Sequence, residues 1–265
     1  MRPTLLAAAL LSVTAPATGT DGPGSGSWDR FGVGSWVIFH QTTEASSEKT
    51  DDHVKLMIVD RERGRPVLGL ARMIDGHFET RFRTGRHVPA VTAEQLGMQY
   101  ENRGKARIRI GGNAYHVHRE RYTTRQDTLD LERTLTLWRS PEAHVPSRDL
   151  VVDRGANIVL GGDVLRADYV VRLDDRITTY TVRITELASP LSIGQRRLSC
   201  AVEVGTASVD DRGRTMEVES RRHLSPDIPG HVVSIETTVR ADALSFVERQ
   251  LATAFHAAPS DPSNR

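Results

Sequence analysis

The chain has 265 residues, enough for one or two domains, and its 35 basic against 34 acidic side chains leave a formal charge of +1 at pH 7, so bulk charge directs it neither to nucleic acid nor to an acidic membrane. With 38% apolar and 26% charged residues, a packed core is within reach and the composition of a disordered chain is excluded. One cysteine excludes an internal disulfide framework and any multi-cysteine zinc or iron–sulfur site.

At the start, Met1-Arg2-Pro3-Thr4 carries a positive charge, Leu5 to Val13 is almost wholly apolar, and Ala15-Pro16-Ala17 supplies small residues. That order is the one a secretory signal peptide shows, so residues 1–19 are read as a signal and the mature protein as extracytoplasmic, periplasmic or secreted. The apolar run is about ten residues, short of the roughly 20 that span a bilayer, so the expectation is a protein that is not transmembrane. Residues 20–27, Thr-Asp-Gly-Pro-Gly-Ser-Gly-Ser, have the composition of a flexible linker. Residues 28–256 are expected to form one β domain, with a first half 28–150 and a second half 151–256, and residues 257–265 a disordered tail.

From Trp28 onward, short alternating runs bounded by Gly, Asp and Asn dominate, the pattern of antiparallel strands. Strands are expected at Ser35 to Thr43, Val54 to Val59, Pro66 to Ile74, Ala106 to Ile110, Tyr115 to Tyr122, Thr128 to Trp138, Val164 to Leu173, Ile177 to Leu187, Leu198 to Val204, Thr215 to Leu224 and Val232 to Val239. Asp75-Gly76, Gly111-Gly112-Asn113, Asp174-Asp175 and Gly194-Gln195 supply turns between them. Two stretches suggest helix: Thr92-Ala93-Glu94-Gln95, a capping box before Leu96 and Tyr100, and Ala243 to Phe255, which fits a closing strand as well.

An internal repeat organises the chain. Ile108 to Val117 aligns with Leu191 to Cys200, and Trp138-Arg139-Ser140-Pro141-Glu142 with His223-Leu224-Ser225-Pro226-Asp227. Gly34 to Phe39 corresponds more weakly to Leu165 to Val171. The expected fold is therefore all-β: a large curved antiparallel sheet, or two packed sheets, built from two similar halves with few short helices.

The opening Trp28-x-x-Phe31-x-Val33-Gly34-Ser35-Trp36-Val37, the pair Ile193-Gly194 with Cys200 downstream, and the loop Ser225-Pro226-Asp227-Ile228-Pro229-Gly230-His231-Val232-Val233 resemble a group of secreted bacterial β-proteins of unknown function. These are distantly similar to the lipoprotein-carrier half-barrels of the periplasm. The resemblance covers roughly residues 28–239 and rests on structural motifs. The chain departs from those carriers in having few helices to fill a concave sheet and few aromatics.

Among residues that carry chemistry, His116-x-His118 places two imidazoles on one strand face, with His144 as a third ligand in a metal reading. The repeat opposes it by aligning His116 with Ser199 and Val117 with Cys200, so the histidines fall on the polar face and no metal is expected. Leu198, Cys200, Val202 and Val204 alternate on one face, which reads Cys200 as a small core hydrophobe rather than a nucleophile. Asp51-Asp52, Asp174-Asp175 and Asp210-Asp211 read as turn formers rather than catalytic dyads. Arginine supplies 32 of the 35 basic residues, interleaved with acids as surface ion pairs. No nucleophile elbow, phosphate loop or dinucleotide glycine pattern occurs, so no catalytic residue and no cofactor is expected.

The function expected is non-enzymatic: binding of a lipid or other apolar or amphipathic ligand, or of an envelope protein, on the sheet face, with Trp36, Tyr115, Trp138 and Tyr169 as candidate contacts and no role for nucleic acid. The alternatives are a structural or assembly component of the cell envelope that uses sheet edges for strand addition, and a hydrolase whose site is assembled from distant residues.

Overall fold

The computed structural model describes residues 28, 30–45, 48–62, 65–79, 83–85, 97–143, 145–146, 151–152, 158–159, 163–211, 214–241 and 244–259. The signal segment 1–19, the linker 20–27, the capping box at Thr92 to Gln95, His144 and residues 260–265 of the expected tail lie outside them. Strands alternate with short turns throughout, and the only helical element among the described residues is a 3-10 turn at Asp127–Leu129.

The first half contains β1 (Trp36–Ala45), β2 (Glu48–Glu62), β3 (Arg65–Ile74), β4 (His77–Phe78), β5 (Arg83–Gly85), β6 (Gln99–Ile110), β7 (Asn113–Gln126) and β8 (Leu131–Arg139). Then come β9 (Val151–Val152), β10 (Ile158–Val159), β11 (Val164–Leu173), β12 (Arg176–Ile193), β13 (Arg196–Asp211), β14 (Arg214–Leu224), β15 (Val232–Ala241) and β16 (Leu244–His256). Fourteen of these form one curved antiparallel sheet in the order β4-β3-β2-β1-β16-β15-β14-β13-β12-β11-β8-β7-β6, with β5 beside β3. The sheet is unclosed: β6 and the β3/β4/β5 side remain opposite ends of the order. β9 and β10 pair separately.

Two stretches that admitted a helix are strand where described. Tyr100 lies in β6, and the stretch expected from Ala243 to Phe255 is β16, which pairs with β1 on one side and β15 on the other. Its apolar residues follow a period of two as well as a helical one, and the open side of β1 supplies the backbone partners that decide between them.

The repeat is visible in the hydrogen bonding. Hairpin β6–β7 followed by β8 matches hairpin β12–β13 followed by β14, and each half continues into an adjacent strand, β11 or β15. The Ser-Pro loops are built alike. Ser140 N–H donates to Asp163 C=O and Ser225 N–H to His231 C=O, each at 2.8 Å; both acceptors directly precede the next strand. The two serine hydroxyls, fully buried, accept the backbone N–H of Glu142 at 3.3 Å and of Asp227 at 3.4 Å. Beyond each loop the register skips one residue, Leu165 in β11 and Val233 in β15, and both bulged residues are buried. A second pair of bulges bends the hairpins, at Asn102/Lys105 in β6 and between Ile184 and Ser189 in β12. Beyond those bends Val117 and Cys200 both enter the core, while His116 and Ser199 are exposed. The weaker correspondence does not hold: β1 adjoins β2 and β16, not β6, so it does not occupy in the first half the place that β11 occupies beside β12.

One apolar cluster spans the sheet, from Val37 and Phe39 on β1 through Ala252, Leu224, Cys200, Val182 and Tyr169 to Leu135 and Leu137 on β8. Residues so many strands apart share a core because the sheet curves and its long hairpins bend, which brings in Cys200 although it lies an odd number of residues from Gly205, the partner of Val182. Turn chemistry sets the hairpin ends: Gly111 and Gly112 both take positive φ, 54° and 86°, as a two-residue hairpin turn requires.

Candidate functional site

The inward face is organised in cross-strand rows, because directly paired residues on neighbouring strands share a face. One row reads Tyr100, Tyr122, Leu135, Tyr169, Tyr180, Ala207, Val218, Val239, Phe246, Ala45, running from β6 to β1. Leu135 is fully buried and Tyr169 is 3% exposed, whereas Tyr100 at the free edge is 58% exposed. The row thus begins at the open rim, passes through the core and comes out at the exposed Ala45 on β1. Ring centroids of Tyr100 and Tyr122 are 5.4 Å apart and those of Tyr169 and Tyr180 6.3 Å, within the range of favourable aromatic pairs. Burial pushes the hydroxyl pKa of Tyr169 up, and burial with the neighbouring Glu120 carboxylate pushes that of Tyr122 up to about 12, so both stay neutral hydrogen-bonding groups.

Two and four residues along the same strands the face turns polar. Gly205, Ser220, Thr237, Glu248 and Thr43 pair in sequence, and beside them Glu203, Arg222, Ile235, Gln250 and Gln41. Arg222 Nη1 donates to Glu203 Oε1 at 2.9 Å, both residues being buried, whereas Arg222 Nε is buried without a hydrogen-bond partner. Gln41 and Gln250 donate amide hydrogens to Glu248 Oε1 at 2.6 and 3.3 Å. Burial raises the Glu248 pKa above the ordinary carboxylate value, against those two hydrogen bonds. Gly205 lies close to its neighbour, since a Cβ there would come within 2.7 Å of Ser220 Oγ and make that hydroxyl turn away. The first half has a counterpart: Glu120, aligned with Glu203, accepts from Arg139 Nε at 2.8 Å and from the Tyr122 hydroxyl at 3.1 Å, and Arg139 also reaches Asp163 at 2.6 Å.

The chain matches no protein-family model and no curated protein. Its chemistry is therefore read from its own geometry.

The four aromatics singled out in the sequence are not brought together. Tyr169 stands in the inward row and Tyr115 is half-buried against the core beside Ile108. Trp36 and Trp138 alternate with the buried Val37 and Leu137, and each lies under a cation, Lys55 Nζ at 4.8 Å and the Arg166 guanidinium at 4.5 Å from the ring centroid. Tyr100, Tyr122, Tyr180 and the Glu203/Arg222/Glu248 group escaped sequence reading, since only the pairing register shows that they share a face. His116 has both ring nitrogens engaged: Nε2 accepts from Arg107 Nε at 3.1 Å and Nδ1 lies 3.2 Å from Glu142 Oε1. Among the described residues no group of three or more His, Cys, Asp or Glu is placed to hold a metal ion. Cys200 is fully buried, and burial with the nearby Asp227 carboxylate pushes its thiol pKa up to about 11, opposite to a reactive thiolate. No helix among the described residues is long and apolar enough to cross a membrane.

Proposed function

We propose that the protein binds an amphipathic ligand on the inward face of its sheet, with the apolar part along the tyrosine–leucine row and the polar end toward the Arg222/Glu248 group, and that it does so outside the cytoplasm without catalysing a reaction. The observation that carries this reading is the adjacency, on one face of an unclosed sheet, of an apolar row that reaches the rim at Tyr100 and a buried polar group containing an unsatisfied Arg222 Nε. A buried donor left without a partner costs about 1–3 kcal/mol, and a ligand acceptor would recover that cost.

The resemblance to periplasmic lipoprotein carriers and the signal-like segment at 1–19 point the same way. Assembly by strand addition has less support: the free edge strand β6 carries Arg103, Lys105, Arg107 and Arg109 and is interrupted by a bulge with Gly104 at φ 79°, the charges and irregularity that blunt an edge against pairing.

Native mass spectrometry of protein purified from its own envelope should show noncovalent adducts of lipid mass, and the delipidated protein should bind the fluorescent fatty acid cis-parinarate saturably. Tyr100→Ala with Tyr122→Ala should weaken that binding about tenfold, the loss of roughly 1.4 kcal/mol of apolar contact. Absence of both adducts and saturable parinarate binding would overturn the proposal. Terminal-peptide analysis of exported protein should place its first residue near Thr18 or Thr20; an intact Met1 would remove the extracytoplasmic part.

A further inference from the structure

The sheet's free end has an electrostatic character that the near-neutral composition hides. Residues 99–125, covering β6 and most of β7, hold seven Arg or Lys against two Glu, a net of +5 in a chain whose formal total is +1. Some arginines elsewhere on the sheet surface sit in ion pairs, Arg221 with Glu186, Arg240 with Glu219, and Arg249 with Glu44 and Glu236, while the exposed Arg172, Arg183, Arg196 and Arg197 have none among the described residues. What sets the β6–β7 hairpin apart is that its cations stand together: Lys105, Arg107, Arg109 and Arg119 are exposed and make no ion pair among the described residues, while Glu101 is committed to Arg103 and Glu142 to His116. The apolar positions Ala106, Ile108, Ile110 and Val117 pack toward the core, so alternation directs Lys105, Arg107 and Arg109, together with His116 and His118, to the opposite face. At about 3.4 Å per residue, Lys105, Arg107 and Arg109 form a straight line roughly 14 Å long.

We propose that this outer face of the β6–β7 hairpin docks the protein on an anionic phospholipid bilayer. The inference goes beyond the ligand-binding reading and stands independently of it. A planar array of unpaired cations fits a laterally continuous anionic surface, which attracts each Lys or Arg near it without shape matching. A protein partner would call for a desolvated anchor of aromatic or apolar side chains at its centre, and the outward positions of this hairpin carry charged and imidazole side chains instead.

The test is cosedimentation of the full chain with phosphatidylcholine vesicles, with and without phosphatidylglycerol, at low and at physiological salt. The expected result is binding that requires phosphatidylglycerol, declines with salt and falls at least about tenfold in a Lys105→Gln/Arg107→Gln/Arg109→Gln variant, as removal of several surface cations demands. An Arg221→Gln/Arg240→Gln/Arg249→Gln variant, equal in net charge but altered on ion-paired surface, should bind like wild type. Melting curves of both variants would show whether the fold is retained. Equal loss in the two triple variants, no dependence on phosphatidylglycerol, or tighter binding to a duplex DNA fragment than to the vesicles would each overturn the proposal. Failure of parinarate binding alone would leave it standing, and loss of vesicle binding would leave the ligand reading standing.

Discussion

Cys200 and Glu248 show how burial alone assigns a role to an ionisable side chain. The thiol is fully buried with its pKa pushed up to about 11, so it should resist alkylation in the native protein and react on unfolding. Cys200→Ala should cost about 1 kcal/mol through the small cavity it leaves, readable in a denaturant titration, while parinarate binding is retained. Glu248 has a folded-state pKa above its ordinary 4.5; a carboxyl raised in this way favours the fold when protonated, and that contribution is lost as pH rises through the folded value. Glu248→Gln should therefore melt at a higher temperature than wild type at pH 7, with the difference shrinking toward pH 4. A constant difference across that range would contradict the assignment. Arg222 presents the opposite case, since removing it takes the buried cation away from the buried Glu203 carboxylate. Arg222→Met should destabilise by about 3–5 kcal/mol and the Glu203→Leu/Arg222→Met pair by much less, the usual asymmetry of buried ion pairs.

Elements in this chain are shaped by where regular pairing breaks. β12 and β13 run 18 and 16 residues, well beyond the usual strand of about five or six. They remain part of a curved sheet because the bulge between Ile184 and Ser189 bends the pair. The corresponding bend in β6–β7 brings the Gly111 N–H to Thr185 C=O at 3.1 Å, so the tip of one hairpin rests on the bend of the other. The loop from Ser225 to His231 is held from beneath by Trp28: a Cβ added to Gly230, at φ 80°, would meet the indole at 2.8 Å. Gly230→Ala should accordingly lower stability by about 1–3 kcal/mol, combining left-handed backbone strain with overpacking. The same substitution at Gly194, where φ is also positive but a Cβ would meet nothing within 4 Å, should cost only the backbone part.

At the scale of the whole molecule, the chain is nearly a cyclic meander. Every step of the sheet from β6 round to β3 joins sequence neighbours, once β9 and β10 are set aside and β16 is placed beside β1. The β1–β16 pairing ties the two ends of the described domain together through ten register positions, and Phe31 bridges Pro259 just beyond it. Hydrogen exchange should reflect this plan. Amides of the central strand β13, paired on both sides, should exchange only through global unfolding, while alternate amides of β6 that face the open edge should exchange at least about a hundredfold faster. Uniform protection of β6 would mean that its edge is covered in solution.

Local pattern determined the all-β class, the strand at Val164 to Leu173, the hairpin turn at Gly111-Gly112 and the equivalence of the Ser140 and Ser225 loops, because each depends on alternation or turn chemistry within a few residues. It also placed Cys200 inward and His116 outward, since period two carries a known face along a strand. Register between strands was not available to it. Whether Tyr122 meets Leu135 and Leu135 meets Tyr169 depends on pairings across turns and bulges, and a shift of one residue would have sent the tyrosines to the other face. For the same reason the arginines, which alternate with acids along the sequence, divided in three dimensions into some held in ion pairs, such as Arg221, Arg240 and Arg249, and others with none among the described residues, several of them gathered on the β6–β7 hairpin. Composition is blind to that division; only the tertiary structure decided which charges had partners and where the apolar row met the buried Glu203, Arg222 and Glu248.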